Sequence, residues 1–262
     1  MNKLLLANTA LFLFGVSLNA AELFNDGFES GASGFTYVDN GTSNTGAYSI
    51  TTPGADGTGG AGHVGDNLVQ YASNTIAAGY IKANGAVANG AQDFSLTFDF
   101  KFEQESTYDD AMIFVGDLSN GNYYRIGLGE NSGTQQVYQI SGGVRDANTT
   151  TTYSASTFTD DTWYSATINW ASGTNTLSFD SVLFGDMSSV VSFSTILDGS
   201  GLNNASIASL AASGVEFGFG TFNDQASFDN VIINGVAIPE SSTCALLAGM
   251  LALGAAVCRR RA

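Results

Sequence analysis

The chain has little positive charge, little cysteine, little proline and almost no histidine. Its 262 residues include 8 Lys+Arg against 24 Asp+Glu, 2 Cys, 2 Pro and one His. Lys3 stands at the start, and Arg259, Arg260 and Arg261 stand at the end. All the acids lie between Glu22 and Glu240, with only Lys82, Lys101, Arg125 and Arg145 among them. So anionic a body repels a phosphate backbone, which excludes nucleic acid as a partner. Both cysteines, Cys244 and Cys258, fall close to the C-terminus. The body therefore has no thiol nucleophile, no Cys/His zinc site and no disulfide framework. His63 is the sole base available to a Ser-His-Asp triad, and no nucleophile motif accompanies it.

Charged residues make up 12% of the chain, about half the usual share for a soluble globular protein. The polar surface must then be built from Ser, Thr, Asn and Gly. That composition suits turn-rich β structure better than helical bundles, whose wet faces use Glu, Lys and Arg. With 44% hydrophobic and 11% aromatic residues, the chain has too much apolar surface to stay disordered.

The two ends differ from the body. Residues 1–21 run from Met1-Asn2-Lys3 through an apolar stretch, Leu4 to Leu18, to Asn19-Ala20-Ala21. This order is that of a secretory signal peptide, with cleavage by signal peptidase expected after Ala20 or Ala21. At the other end, Ile238-Pro239-Glu240-Ser241-Ser242-Thr243 precedes an uncharged stretch from Cys244 to Cys258, closed by the arginines. At 1.5 Å per residue that stretch spans about 22 Å as a helix, less than the roughly 30 Å hydrocarbon core. Tilt and snorkelled flanks let a short helix lodge there, with its arginines toward the cytoplasm.

This order of parts resembles the PEP-CTERM sorting signal, which is read by exosortases in bacteria with an outer membrane. Ile238, Pro239, Glu240, Ser242 and Thr243 match that motif, Arg259, Arg260 and Arg261 match its basic cluster, and Ser241 replaces its usual second proline. The resemblance covers residues 238–262. It implies processing by an exosortase-type enzyme and an inner-membrane-anchored intermediate, then the cell surface or extracellular matrix. The family's association with exopolysaccharide makes polysaccharide the expected partner.

Residues 22–237 show strand periodicity. Phe94, Leu96, Phe98, Phe100 and Phe102 alternate with Ser95, Thr97, Asp99, Lys101 and Glu103, which places one set on each face of a strand. Tyr164, Ala166, Ile168 and Trp170 alternate likewise with Trp163, Ser165, Thr167 and Asn169, and Val215, Phe217 and Phe219 repeat the period. The continuous apolar run from Ala111 to Val115 reads as a central strand. Ser119-Asn120-Gly121-Asn122 and Ala171-Ser172-Gly173-Thr174-Asn175 read as hairpin turns. Residues 201–212 are the one helix-like stretch and read equally as a loop, and 148–152 read as a Thr-rich loop. The fold class is all-β: one antiparallel β-sandwich, flanked by the signal helix and the short C-terminal helix.

Five stretches together resemble the laminin-G-like, or concanavalin A-like, jelly roll. They are Phe24–Glu29, Asp93–Glu103, Gly121–Ile126, Thr162–Ile168 and Ser227–Ile233. The resemblance implies one structural calcium ion tying the first strand to the last, held by Asp229 with Asp26 or Glu29. Jelly-roll glucanases carry Glu-x-Asp-x-x-Glu on one strand, which sets their acids on one face. That spacing is absent. Glu103 and Glu105 are the nearest pair, while Asp109-Asp110 and Asp160-Asp161 are adjacent and suit turns. No catalytic residue is assigned. Tyr108, Tyr123, Tyr138, Tyr153 and Trp163 are the rings available for stacking on a sugar, and none is singled out. The leading expectation is an exported, non-catalytic surface or matrix protein that contacts polysaccharide. Two alternatives stand beside it: a glucanase-like enzyme with atypical acids, and a purely structural or adhesive protein.

Overall fold

The computed structural model describes residues 21–235, apart from 30–33, 40–47, 52–53, 58–60, 65–78, 86, 103–109, 130–133, 143, 146–150, 155–157, 198–204 and 223–225. Its strands are β1 (Ala21–Asp26), β2 (Phe35–Asp39), β3 (Tyr48–Thr51), β4 (Ala61–Val64), β5 (Gly79–Ala83), β6 (Phe94–Phe102), β7 (Asp110–Asp117) and β8 (Asn122–Gly129). They continue as β9 (Thr134–Ser141), β10 (Val144–Arg145), β11 (Thr151–Ser154), β12 (Tyr164–Ala171), β13 (Thr176–Leu183), β14 (Ser189–Ile196), β15 (Glu216–Phe222) and β16 (Ala226–Gly235). A single helical turn, α1 (Ile207–Leu210), precedes β15.

Two antiparallel sheets form. Sheet I has the order β14-β13-β12-β6-β16-β4-β3, with β1 also paired to β16. Sheet II has the order β10-β9-β8-β7-β15-β5-β2, with β11 also paired to β9. The period-two patterns decide which side chains lie between the sheets. On β6, Phe94, Leu96, Phe98, Phe100 and Phe102 all face inward and are buried. Phe217 and Phe219 of β15 meet them from sheet II. Ring centroids lie 5.4 Å apart for Phe94–Phe217, 5.1 Å for Phe98–Phe219 and 4.7 Å for Phe219–Phe228. Edge and tilted contacts of this kind add to the burial of large rings. Trp170 fills the end of the core and donates its indole N–H to the Gly90 carbonyl at 2.8 Å.

Both expected hairpins form. The β7–β8 turn has Gly121 at φ 72°, and the β12–β13 turn has Asn175 at φ 50°, conformations that Gly and Asn adopt most readily. One reading of the sequence needs correction. Residues 148–152 are not only a loop, because Thr151 and Thr152 open β11 on the edge of β9. Threonine is β-branched and suits an edge strand. Within 201–212 the helix is only the four-residue α1, whose first turn is capped by Ser206 Oγ accepting from the Ser209 N–H at 3.2 Å.

The expected inner-membrane-anchored intermediate is also corrected. Among the described residues no helix is long and apolar enough to cross a membrane. A sandwich spends its apolar residues at alternate strand positions facing one core, which leaves no continuous apolar helix. The expected signal peptide, the sorting motif and the stretch from Cys244 to Cys258 lie outside the described residues, save Ala21, which opens β1.

Candidate functional site

Two places concentrate polar chemistry. The first is a notch on the edge of β16. That edge is shared by β4, which pairs with Ala226–Phe228, and by β1, which pairs with Val231–Gly235. Asp229 and Asn230 stand between them. On its other side β16 shifts register against β6 between Asp229 and Ile232, and Asn230 turns to φ 48°. Such a bulge redirects side chains. Asp229 accepts the Ala55 N–H at 2.7 Å and the Asn230 N–H at 2.7 Å. Its cross-strand partner Asp99 accepts Ser165 Oγ at 2.6 Å and Asn230 Nδ2 at 2.8 Å. The two are 1% and 7% exposed. Burial pushes both carboxyls above the ordinary carboxylate range. Asp99 and Glu29 add to the rise at Asp229, and Asp56 adds to it at Asp99, against the hydrogen bonds that oppose it.

The acids named for calcium are not gathered here. Glu29 lies within electrostatic reach of Asp229. Asp26 pairs with Val231, whose side chain is in the core, so Asp26 stands on the inner side while Asp229 stands on the outer. Its two carboxylate oxygens accept the amides of Phe28 and Gly34. Calcium takes six to eight oxygens. Among the described residues no group of three or more His, Cys, Asp or Glu could hold a metal ion. The three residues as placed do not form a calcium cage. Asp99, which the alternation of β6 put on a wet face, is buried instead, because the Asn230 bulge and Ser165 close over it.

The second place is the outer face of sheet II. Alternation on β7 sends Ala111, Ile113 and Val115 to the main core and Met112 and Phe114 outward. On β8, Tyr124, Ile126 and Leu128 face the core, while Tyr123 and Arg125 face out. The registers then assemble rows across the face. Tyr138, Arg125, Phe114, Gly218 and Lys82 form one, and Gln136, Gly127, Met112, Gly220, Tyr80 and Val38 the next. Tyr80, Met112, Phe114, Leu118, Tyr123 and Ile140 make a second apolar cluster separate from the main core.

Glycine gives this face its shape. A Cβ at Gly218 would sit 2.8 Å from the Ile81 carbonyl oxygen and 3.0 Å from Leu118 Cδ2. One at Gly116, whose φ is 150°, would sit 2.6 Å from Tyr123 Cα. The rings of Tyr80 and Phe114 accordingly approach to 5.2 Å, and Tyr123 meets Phe114 edge-on at 5.5 Å. At the rim, Glu216 accepts Lys82 Nζ at 3.0 Å, the Ser119 N–H at 2.6 Å and Ser119 Oγ at 2.7 Å. Burial alone would raise the Glu216 carboxyl, but Ser119 and Lys82 outweigh it and hold it below its usual value.

Of the rings named from the sequence, Tyr123 and Tyr138 are on this face, 2% and 3% exposed. Trp163 lies elsewhere, before β12, with Lys101 Nζ 5.6 Å from its ring centroid. Tyr108 lies outside the described residues, as do Glu103, Glu105 and Asp109, and the Tyr153 side chain is likewise not described. The backbone of His63 is in β4, opposite Ser49 and Ser227. Sequence reasoning did not place Arg125 on this face, although Tyr123, Arg125 and Gly127 alternate with three apolar residues on β8.

No family model matches the chain, and no curated protein matches its sequence. Solved structures match its shape. Lectin I from Ulex europaeus, in complex with the methyl glycoside of α-L-fucose, superposes with a TM-score of 0.53 at 12% identity, covering 83% of this chain and 98% of that one. The winged bean acidic lectin, complexed with methyl-α-D-galactose, gives 0.52 at 12% identity, covering 84% and 100%. Arcelin-5, a lectin-like defence protein from Phaseolus vulgaris, gives 0.50 at 10% identity, covering 84% and 99%. At these identities the likeness is one of fold, and that fold is the lectin-like, concanavalin A-like jelly-roll sandwich.

Proposed function

We propose that this is an exported, non-catalytic carbohydrate-binding protein of the cell surface or extracellular matrix that contacts polysaccharide. The observation that carries this reading is the lectin-like fold, which superposes on sugar-complexed lectins over 83% and 84% of this chain.

Export is supported by residues 1–21, read as a signal peptide. Ile238, Pro239, Glu240, Ser242, Thr243, Arg259, Arg260 and Arg261 support handling by an exosortase-type enzyme. The absence of the Glu-x-Asp-x-x-Glu pattern supports a non-catalytic role. A glycan array probed with the purified full chain tests the proposal. Binding to a subset of glycans is expected. Silence across the array, or release of reducing sugar from a β-glucan, removes it.

A further inference from the structure

Sheet I has an open cavity on its outer face, at the end where β6 begins and β12 and β16 finish. Its volume is about 320 Å³, within the range of small-molecule sites. Period two decides what faces it. Phe94, Leu96, Ile168, Trp170 and Ile233 turn into the core, so Ser95, Asn169 and Asn234 turn out. Register sets those three in one row, with Asn169 opposite Ser95 on one side and Asn234 opposite it on the other. Neighbouring strands lie about 4.8 Å apart, so the two amide-bearing positions stand about 10 Å apart with the serine between them. All three line the cavity, together with Asp93 and Ala171. Asp93 and Asn169 are exposed, and Ser95 and Asn234 are half-buried. A ligand can therefore reach them from solvent.

These polar groups are positioned and available. Asp93 Oδ1 accepts the Ser172 N–H and Oγ, each at 2.8 Å, which holds the carboxylate against the β12–β13 turn. Among the described residues its Oδ2 accepts no hydrogen bond, and the Asn169 and Asn234 side chains make none. Each amide both donates and accepts, and the carboxylate oxygen accepts. Neighbouring hydroxyls of a sugar, which also donate and accept, fit that set. Among the described residues Asp93 is the only charged side chain lining the cavity. With no cation beside it and a formal net charge of −16 on the chain, an anionic ligand is repelled.

We infer that this cavity seats a neutral hexopyranose unit of a glycan, with hydroxyls on Asn169, Asn234 and the Asp93 carboxylate and a carbon face against Ala171. The inference rests on the glycan-binding reading above and gives that reading its site.

A glycan array run side by side with the purified full chain and three variants tests it. Wild type is expected to prefer glycans of neutral hexoses to those bearing uronate. Asn169→Ala combined with Asn234→Ala should lose roughly tenfold or more in affinity, as two hydrogen bonds to the ligand go. Ala171→Phe leaves every polar group in place and fills the cavity, so it should abolish binding. Thr167→Ala, on the same face but outside the cavity, should bind as wild type does. Melting curves show which variants fold, and the double asparagine variant carries the test if Ala171→Phe does not. Undiminished binding by a folded cavity variant overturns the inference. An equal loss in Thr167→Ala overturns it too, because the face and not the cavity is then recognised. A preference for uronate-bearing glycans also overturns it. In each of these cases wild type still binds, and the glycan-binding reading stands. Silence of wild type across the array removes both.

Discussion

The outer faces of the two sheets solve the same problem in opposite ways. On sheet I, Ser95, Asn169, Ser178 and Ser194 stand in one cross-strand row, and Thr97, Thr167, Asp180 and Ser192 in the next. These are short polar groups, partly or fully exposed, and they supply wettable surface without lysine or glutamate. On sheet II the corresponding rows hold tyrosine, phenylalanine, methionine, glycine and arginine, nearly all of them buried. The acids differ as well. Asp99 and Asp229 on sheet I are pushed up by burial, while Glu216 on sheet II is held down by Ser119 and Lys82. One face is built to meet water, and the other is built as a second interior.

Substitutions can break that comparison. Phe114→Ala on sheet II should cost about 3–5 kcal/mol, as a core phenylalanine would. Guanidinium denaturation measures it, and a cost near that of a surface residue would end the idea of a second interior. Gly116→Ala should cost about 3 kcal/mol, because its new methyl meets the backbone of β8. The same melt reads it, and a neutral result would mean that β7 and β8 are further apart than described. Thr167→Ala, in the middle of sheet I, should change stability by no more than about 0.5 kcal/mol.

The acids give a finer test through pH. A raised carboxyl means that the folded state holds a proton the unfolded state has already released. Asp99 and Asp229 therefore add stability as pH falls through their folded values toward the ordinary value of 3.8, and that stability is lost as pH rises again. Glu216 works the other way. Its contribution is present above the ordinary value of 4.5 and disappears as pH falls through its lowered one. Asp99→Asn should therefore flatten the acid-side gain in melting temperature, and Glu216→Gln should flatten the acid-side loss. Profiles that shift in the same direction for both variants would contradict the assignment.

Much of this was readable before any fold was known. The five apolar positions of β6 and the two hairpin turns follow from period and turn chemistry alone. The unbroken run Ala111–Val115 announced a central strand, and β7 lies between β8 and β15. What escaped depends on pairing between distant segments. Asp99 looked wet because its cover, the Asn230 bulge, exists only once β16 lies against β6. The sequence carried no sign that Arg125 is buried, because its burial depends on what β7 and β9 place beside it. Thr151 and Thr152 looked like loop because an edge strand this short carries no period of its own.

The late position of β15 and β16 has a consequence for how the protein comes into being. β15 lies between β7 and β5, and β16 lies between β6 on one side and β4 and β1 on the other. Until its last strand is synthesised, sheet II is two separate flaps, and sheet I is two flaps with β1 left unpaired. A nascent chain halted before residue 216 holds every other strand and still cannot close either layer. Closure of both layers waits on residues 216–235, so a chain cut just before them loses both sheets together.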